Sequence, residues 1–387
     1  MQPVPSHDYH RTTMPHDATR PDPPSAEPLS PGTAALLDPA TVDLLQRMPK
    51  AELHLHLDGS LRPETALELS QARGIDDGMD VDAMQTRLTA PPRTRDQAEL
   101  LRAFDLPVRL LQDAGALERV TRELVEDVST DGTRYVEIRW APGLHVAEEL
   151  ALSEGIEAVV RGAEAGAEAT GVTVRLVAVA LRSHPPQMSL AVAHASAAFF
   201  DRGLTGFDLA GPEAAFPDPL PHGDAFDAAR LGGLGITMHA GEWGGPAQLW
   251  RCLALEPRRI AHGSPAAEDS ELQHELMARG VTLDLCPTSN VQAGVVDRVA
   301  DHPLPHLMRA GVSVTLSTDG RTVSDLTLVE EYGRAVALLG VTLPELWAMD
   351  RHALEAAFLH DDEALRARLL AEFDAFATAE PALDGEA

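Results

Sequence analysis

The chain has 387 residues, 44% of them apolar, and a formal charge of −29 from 31 basic and 60 acidic residues. Its length provides for one large domain of the barrel kind or two ordinary ones, and its acidity argues against nucleic acid or an anionic membrane as partner, because both repel a negative surface. The two cysteines, Cys252 and Cys286, are too few for a disulfide framework, so a reducing, cytoplasmic compartment is expected.

Residues 1–38 are rich in Pro, Ser, Asp and Thr and hold no apolar run. They read as a disordered tail rather than a signal peptide, and nowhere does the chain approach the roughly 20 consecutive apolar residues of a membrane span. From Thr41 onward, short apolar runs alternate with longer amphipathic stretches. The runs at 51–57, 135–140, 172–180, 206–209, 236–239, 259–261, 281–285 and 312–316 are candidate strands. Most are almost wholly apolar, as in a parallel sheet covered on both faces. Helical patterns at 155–170, 189–202, 225–232, 264–279 and 302–310 separate them. Eight strands with interleaved helices predict an α/β chain folded as a (β/α)8 TIM barrel. The rival doubly wound sheet usually opens with a Gly-rich turn, and HLDGSLRP after the first strand is not one. The first crossover is unusually long: helical patterns at 63–73, 97–112 and 117–127 predict an insertion able to wall or cover a pocket. Extra helices are expected at 325–339 and 343–376, closing one domain over 39–376, with a flexible acidic tail at 377–387.

Residues of chemical interest stand at the ends of these strands. In Leu53-His54-Leu55-His56-Leu57, residues two apart share one face of a strand, so both histidines face the barrel interior. His239 ends the fifth run and Glu242 follows in the loop above it. His262 ends the sixth, and Asp319 follows the eighth. Barrel enzymes carry their catalytic groups at this end of the strands. Three imidazoles and one carboxylate can hold one zinc with a position left for water, and Glu242 and His262 remain to move protons. Lys50 is the only lysine and precedes the first strand, which disfavours Schiff-base chemistry and a lysine-bridged metal pair. The other histidines of the folded part, His145, His222 and His302 among them, have polar neighbours and are expected at the surface. Both cysteines are expected in the core.

PKAELHLHLDGSLRPET, FDLAGPE, ITMHAGE, RRIAHG, CPTSN and LSTD occur in this order between Pro49 and Tyr332. In these motifs the chain resembles the adenosine deaminases, zinc barrels of the amidohydrolase superfamily. The resemblance implies that His54, His56, His239 and Asp319 bind one Zn2+ per chain. It implies that Glu242 protonates purine N1, and that His262 orients the attacking hydroxide and stabilises charge, with Asp319 accepting a hydrogen bond from that hydroxide. It also places Asp58 at the ribose, His56 beside the substrate and the Gly211 N–H at purine N3. The implied reaction is hydrolytic deamination of a 6-aminopurine nucleoside, adenosine or 2′-deoxyadenosine, to inosine or deoxyinosine and ammonia. One position departs from the family: Gly320 stands where an acid or asparagine usually meets purine N7, and Arg321 follows where proline is common. Water or Arg321 could fill that gap, although a solvated or ion-paired arginine is the plainer reading of Arg321. The departure keeps three alternatives open: a modified adenine nucleoside, adenine itself, or a zinc barrel that only binds. The oligomeric state is left open.

Overall fold

The computed structural model describes residues 29–75, 78–147, 150–360 and 362–384. Eight parallel strands follow one another in sequence order around a barrel: β1 Lys50–His56, β2 Thr133–Trp140, β3 Thr173–Leu181, β4 Leu204–Ala210, β5 Gly235–Ala240, β6 Arg259–His262, β7 Thr282–Leu285 and β8 Val314–Leu316. Each expected strand is present, with ends shifted by a few residues. The barrel closes through a parallel bridge between Leu55 and Asp319, where His56 N–H donates to the Asp319 carbonyl (2.6 Å) and Asp319 N–H to the His54 carbonyl (3.0 Å).

The strands are buried on both faces because helices cover the outside and side chains fill the inside. Part of that filling is ionic. Arg139 pairs with Asp208 at 3.0 Å, and Arg259 bridges Glu137 and Asp284, all fully buried. Such charges are tolerated only when each meets its partners. Below them Phe358 plugs the N-terminal mouth. Its N–H donates to Glu137 Oε1 at 2.7 Å, the Arg259 guanidinium sits 3.9 Å from its ring centre, and the ring packs on Gly206 and Gly235, where any Cβ would collide with it.

The long first crossover carries helices Pro63–Ala72, Val81–Leu88, Gln97–Leu101, Asp105–Leu110 and Ala114–Thr130. The single helix expected over 97–112 is broken by a 3-10 turn at Arg102–Phe104, after which the helix restarts with Pro107 in its first turn, where a missing N–H costs least. After β8 come Arg321–Ser324, Leu328–Leu339, Leu343–Ala356 and Glu363–Ala379.

The flanking segments differ from expectation wherever they are described. Leu29 is buried, Ser30 and Thr33 bond to Glu330, and Pro31–Ala34 is a short helix, so the ordered chain begins before 39. The last helix runs on to Ala379, and Leu383 is buried beyond it. In both places an apolar anchor outweighs polar composition. Residues 1–28 of the expected tail lie outside the described residues.

Candidate active site

The C-terminal ends of β1, β5, β6 and β8 bring the sequence-selected residues together. His54 Nε2 lies 3.3 Å from His56 Nε2, and His56 Nε2 lies 3.1 Å from His239 Nε2. Asp319 Oδ1 is 3.1 Å from His54 Nε2 and 3.4 Å from His56 Nε2. These four ligand atoms lie within 4.8 Å of one another. The opposite ring nitrogens turn outward: His239 Nδ1 is 2.9 Å from Asp208 Oδ2, His54 Nδ1 is 3.6 Å from Cys286 Sγ, and His56 Nδ1 faces Asp58 Oδ1 at 3.9 Å. Outward Nδ1 protons leave three Nε2 lone pairs converging on one point, an arrangement that a cation satisfies and that repels itself without one. Burial holds the His54 imidazole well below its usual range and pushes His56 down to about 3, so both are neutral at pH 7 and could each offer a lone pair to a metal. Burial pushes the Asp319 carboxyl up, but the hydrogen bond from His54 and the close approach of His56 and His262 outweigh it and hold the group well below the usual carboxylate range.

A second group shares Asp319. Glu242 Oε1 stands 3.9 Å from His262 Nε2, and both lie within 4.8 Å of an Asp319 carboxylate oxygen. Burial pushes Glu242 well above its usual value, and the charges of Asp319 and Glu213 add to the effect. A carboxyl that keeps its proton near neutrality can donate it. Burial likewise pushes His262 down to about 4. His262 (φ 65°) and Asp319 (φ 70°) both occupy the left-handed region that favours glycine. Such strain costs on the order of 1–3 kcal/mol per residue and collects at functional sites.

The cleft over these groups has a volume of about 800 Å3, part of it open to solvent. Leu100, Leu101 and Phe104 from the inserted segment and Leu144, Val179 and Leu181 from the barrel rim form its apolar walls. Asp58, pushed up to about 6 by burial, Gly211, Ser289 and Gly320 also line it. No arginine or lysine lines it among the described residues.

Arg321 does not line the site and is ion-paired, in line with its plainer reading. It is buried and paired with Asp131. Gly320 has a packing reason. Its Cβ would stand 3.0 Å from the Gly59 carbonyl oxygen, which also accepts the Thr322 and Val323 N–H groups at 3.0 Å each. His145, His222 and His302 are buried, not at the surface. Polar neighbours in sequence do not reveal which way a side chain turns. Cys252 and Cys286 are core residues, as expected.

Four contributing residues escaped the sequence reading, although each lies inside a motif already noted. Glu213 of FDLAGPE accepts the N–H groups of Gly241 (2.8 Å), Glu242 (3.1 Å) and Trp243 (3.0 Å), which fixes the loop carrying Glu242. Asp208 of the same motif stands behind His239. Ser289 of CPTSN donates to Asp319 Oδ2 at 2.6 Å, and Asn290 meets His262.

The profile of the adenosine deaminase family matches residues 49–375. The chain belongs to that family. Adenosine deaminase of Enterococcus faecalis is 34% identical over 319 residues, 82% of this chain and 94% of the relative. Among solved structures, adenine deaminase of Arthrobacter aurescens is 28% identical with a TM-score of 0.78, over 86% of this chain and 99% of that one. The N6-mAMP deaminase of Arabidopsis is 27% identical with a TM-score of 0.76, over 86% and 99%. This member of the family is an aminohydrolase of the adenosine/adenine deaminase type, acting on a C–N bond. Among the described residues no helix is long and apolar enough to cross a membrane.

Proposed function

We propose that this enzyme deaminates an uncharged 6-aminopurine nucleoside, adenosine or 2′-deoxyadenosine first, at a single zinc held by His54, His56, His239 and Asp319. The observation that carries the reading is the shared pocket: four converging ligand atoms, with Glu242 and the buried His262 3.9 Å apart beside them, under apolar walls with no arginine or lysine among the described residues. Zinc bound there would lower the pKa of a coordinated water to about 7 and so supply a nucleophile at neutral pH.

The chain's own groups do the rest. Leu100, Leu101, Phe104 and Leu181 bury the purine and keep bulk water out. Glu242 passes its proton to the ring nitrogen beside the attacked carbon, so the ring can accept electrons. His262 and Asp319 orient the attacking oxygen. Asp58 takes the sugar hydroxyls and the Gly211 N–H takes the purine edge, with His56 beside the base. The nucleotide is disfavoured by charge: a phosphate would enter a site lined by the carboxylates Asp58 and Asp319 with no arginine or lysine among the described residues to pair with it. The buried thiols and acidic surface suit the cytoplasm. A second reading, a modified adenine nucleoside or adenine itself, is favoured by Gly320, which leaves the pocket without an acid there, and by the likeness to adenine deaminase.

The test is ammonia release by the zinc-loaded protein from adenosine, 2′-deoxyadenosine, adenine, AMP and N6-methyl-AMP. Adenosine and deoxyadenosine should exceed AMP in kcat/KM by about a hundredfold, about 2.7 kcal/mol. Preference for AMP or N6-methyl-AMP would overturn the uncharged-substrate reading. Preference for adenine would favour the second reading. Glu242→Gln should keep the metal and lose about a thousandfold in kcat, within the range of general acid catalysis.

A further inference from the structure

We propose that His302 and Asn290, neither of which bears a catalytic group, set the tautomer of His262 so that its Nε2 carries a proton into the pocket. Proton positions on histidine rings and the orientation of an asparagine amide are ordinarily assigned from their partners. Here one end of the chain of contacts is unambiguous. The Leu304 backbone N–H, which can only donate, meets His302 Nδ1 at 3.1 Å. His302 Nδ1 is therefore an acceptor, and the neutral ring carries its proton on Nε2. That nitrogen lies 3.0 Å from Asn290 Oδ1, the one acceptor of the amide. With Oδ1 committed, Asn290 Nδ2 faces His262 Nδ1 at 3.1 Å and donates to it. His262 Nδ1 is thereby an acceptor as well, and its proton sits on Nε2, the nitrogen 3.9 Å from Glu242 Oε1.

Every link runs in one direction, from a main-chain N–H to the pocket. Asn290 is completely buried, and His262 and His302 are 1% and 3% exposed, so no solvent molecule competes for these partners. The short helix that presents Asn290, Pro287–Gln292, is itself held: Glu331 accepts the Thr288 N–H at 2.8 Å and its hydroxyl, and the neighbouring Ser289 holds Asp319. One turn of chain thus places two pocket groups. Reversing the Asn290 amide would set its NH2 against the His302 N–H, two donors face to face in a dry interior, at a cost of about 1–3 kcal/mol.

The consequence is a division of labour. A neutral imidazole with its proton on Nε2 gives a hydrogen bond to an oxygen in the pocket and cannot remove a proton there through that atom. His262 therefore steadies the attacking oxygen as charge develops on it, and the proton released by water goes to a carboxylate. Asn290 and His302 are positioning residues in this scheme. It rests on the deaminase reading for its meaning but not for its measurement, because the tautomer is a property of the protein without substrate.

The experiment is a long-range 1H–15N spectrum of histidine-labelled, zinc-loaded protein, with the His262 signals assigned by their loss in His262→Asn. The expected result is an Nε2–H tautomer for His262. His302→Gln keeps a donor at nearly the same place and should preserve both the tautomer and kcat. His302→Leu removes it and should give a mixture of tautomers, with kcat down about tenfold and KM within twofold, in line with one misdirected hydrogen bond. An Nδ1–H tautomer in the unaltered protein would overturn the proposal even if every variant unfolded. So would a His302→Leu protein with tautomer and kcat unchanged. Absence of any deaminase activity together with an Nε2–H tautomer would leave this wiring standing and refute the functional reading alone.

Discussion

Replacing Glu213 by glutamine should damage the site without touching a metal ligand or a substrate. Glu213 is 2% exposed, and its two oxygens take three main-chain N–H groups, one on Oε1 and two on Oε2. Glutamine keeps one oxygen. In its better orientation the oxygen retains Glu242 and Trp243, and the new NH2 faces the Gly241 N–H, donor against donor. Hydrogen bonds to a charged acceptor contribute about 1.5–3 kcal/mol each and neutral ones about 1 kcal/mol, so losing one and weakening two costs about 3–4 kcal/mol. Part of this is relieved by movement of residues 241–243, which carries Glu242 away from His262. Glu213→Gln should therefore lower the urea midpoint of the zinc-loaded protein by an amount corresponding to about 3 kcal/mol. It should also reduce kcat on adenosine by about 10- to 100-fold, since small displacements of a catalytic group have effects of this order. An unchanged midpoint would refute the hydrogen-bond accounting. A lowered midpoint with kcat intact would refute the claim that this carboxylate positions the acid.

Other perturbations test other parts of the structure. Gly320→Asn must push the Gly59 carbonyl aside and should cost about 1–2 kcal/mol, seen as a melting temperature lower by about 1–3 °C; a stabilised variant would contradict the packing argument. Removing the metal by chelation should lower the melting temperature, since an ion at a thousandfold excess over its Kd contributes about 4 kcal/mol, and should speed amide exchange at His56 and Asp319; an unchanged scan would deny metal binding by this cluster. The hydrogen bond from Arg309 pulls Glu345 down to about 2. A depressed carboxyl contributes stability above its ordinary pKa of 4.5 and loses it as pH falls toward 2. The pair is half-exposed, so screening reduces its worth, and Glu345→Gln should cost only about 0.5–1 kcal/mol at pH 7. That difference should shrink to nothing near pH 2 in denaturant titrations.

The barrel was legible because its signal is local. A two-residue alternation turns His54 and His56 to one side, and strand ends followed by Gly241, Gly263 or Gly320 announce loops that approach a ligand. Asp208, Glu213 and Asn290 were hidden for the opposite reason. Their partners are His239, the Gly241–Trp243 backbone and His262, which follow or precede them by 28 to 31 residues and meet them only once the strands stand side by side. Burial of His145, His222 and His302 depends likewise on which helix face meets the barrel. The burial of Leu29 and the fold of the residues after it were hidden by a proline- and serine-rich composition, whereas the decisive contacts, Ser30 and Thr33 on Glu330, come from a helix some 300 residues away.

The bridge between Leu55 and Asp319 also has a meaning for assembly. It joins the beginning and the end of the barrel: Ser317, which accepts the His54 N–H, lies 263 residues further along the chain. Closing a flexible loop of that length costs about 5 kcal/mol of chain entropy, more than any other strand pairing here has to meet. His54 and His56 stand on one side of the joint and Asp319 on the other, so an ion shared by them would be a rivet across the longest strand closure among the described residues. The candidate active site thus also lies on the seam where the two ends of the barrel meet, and a circular permutant with its ends moved to the far side of the barrel would make that distant union a local one.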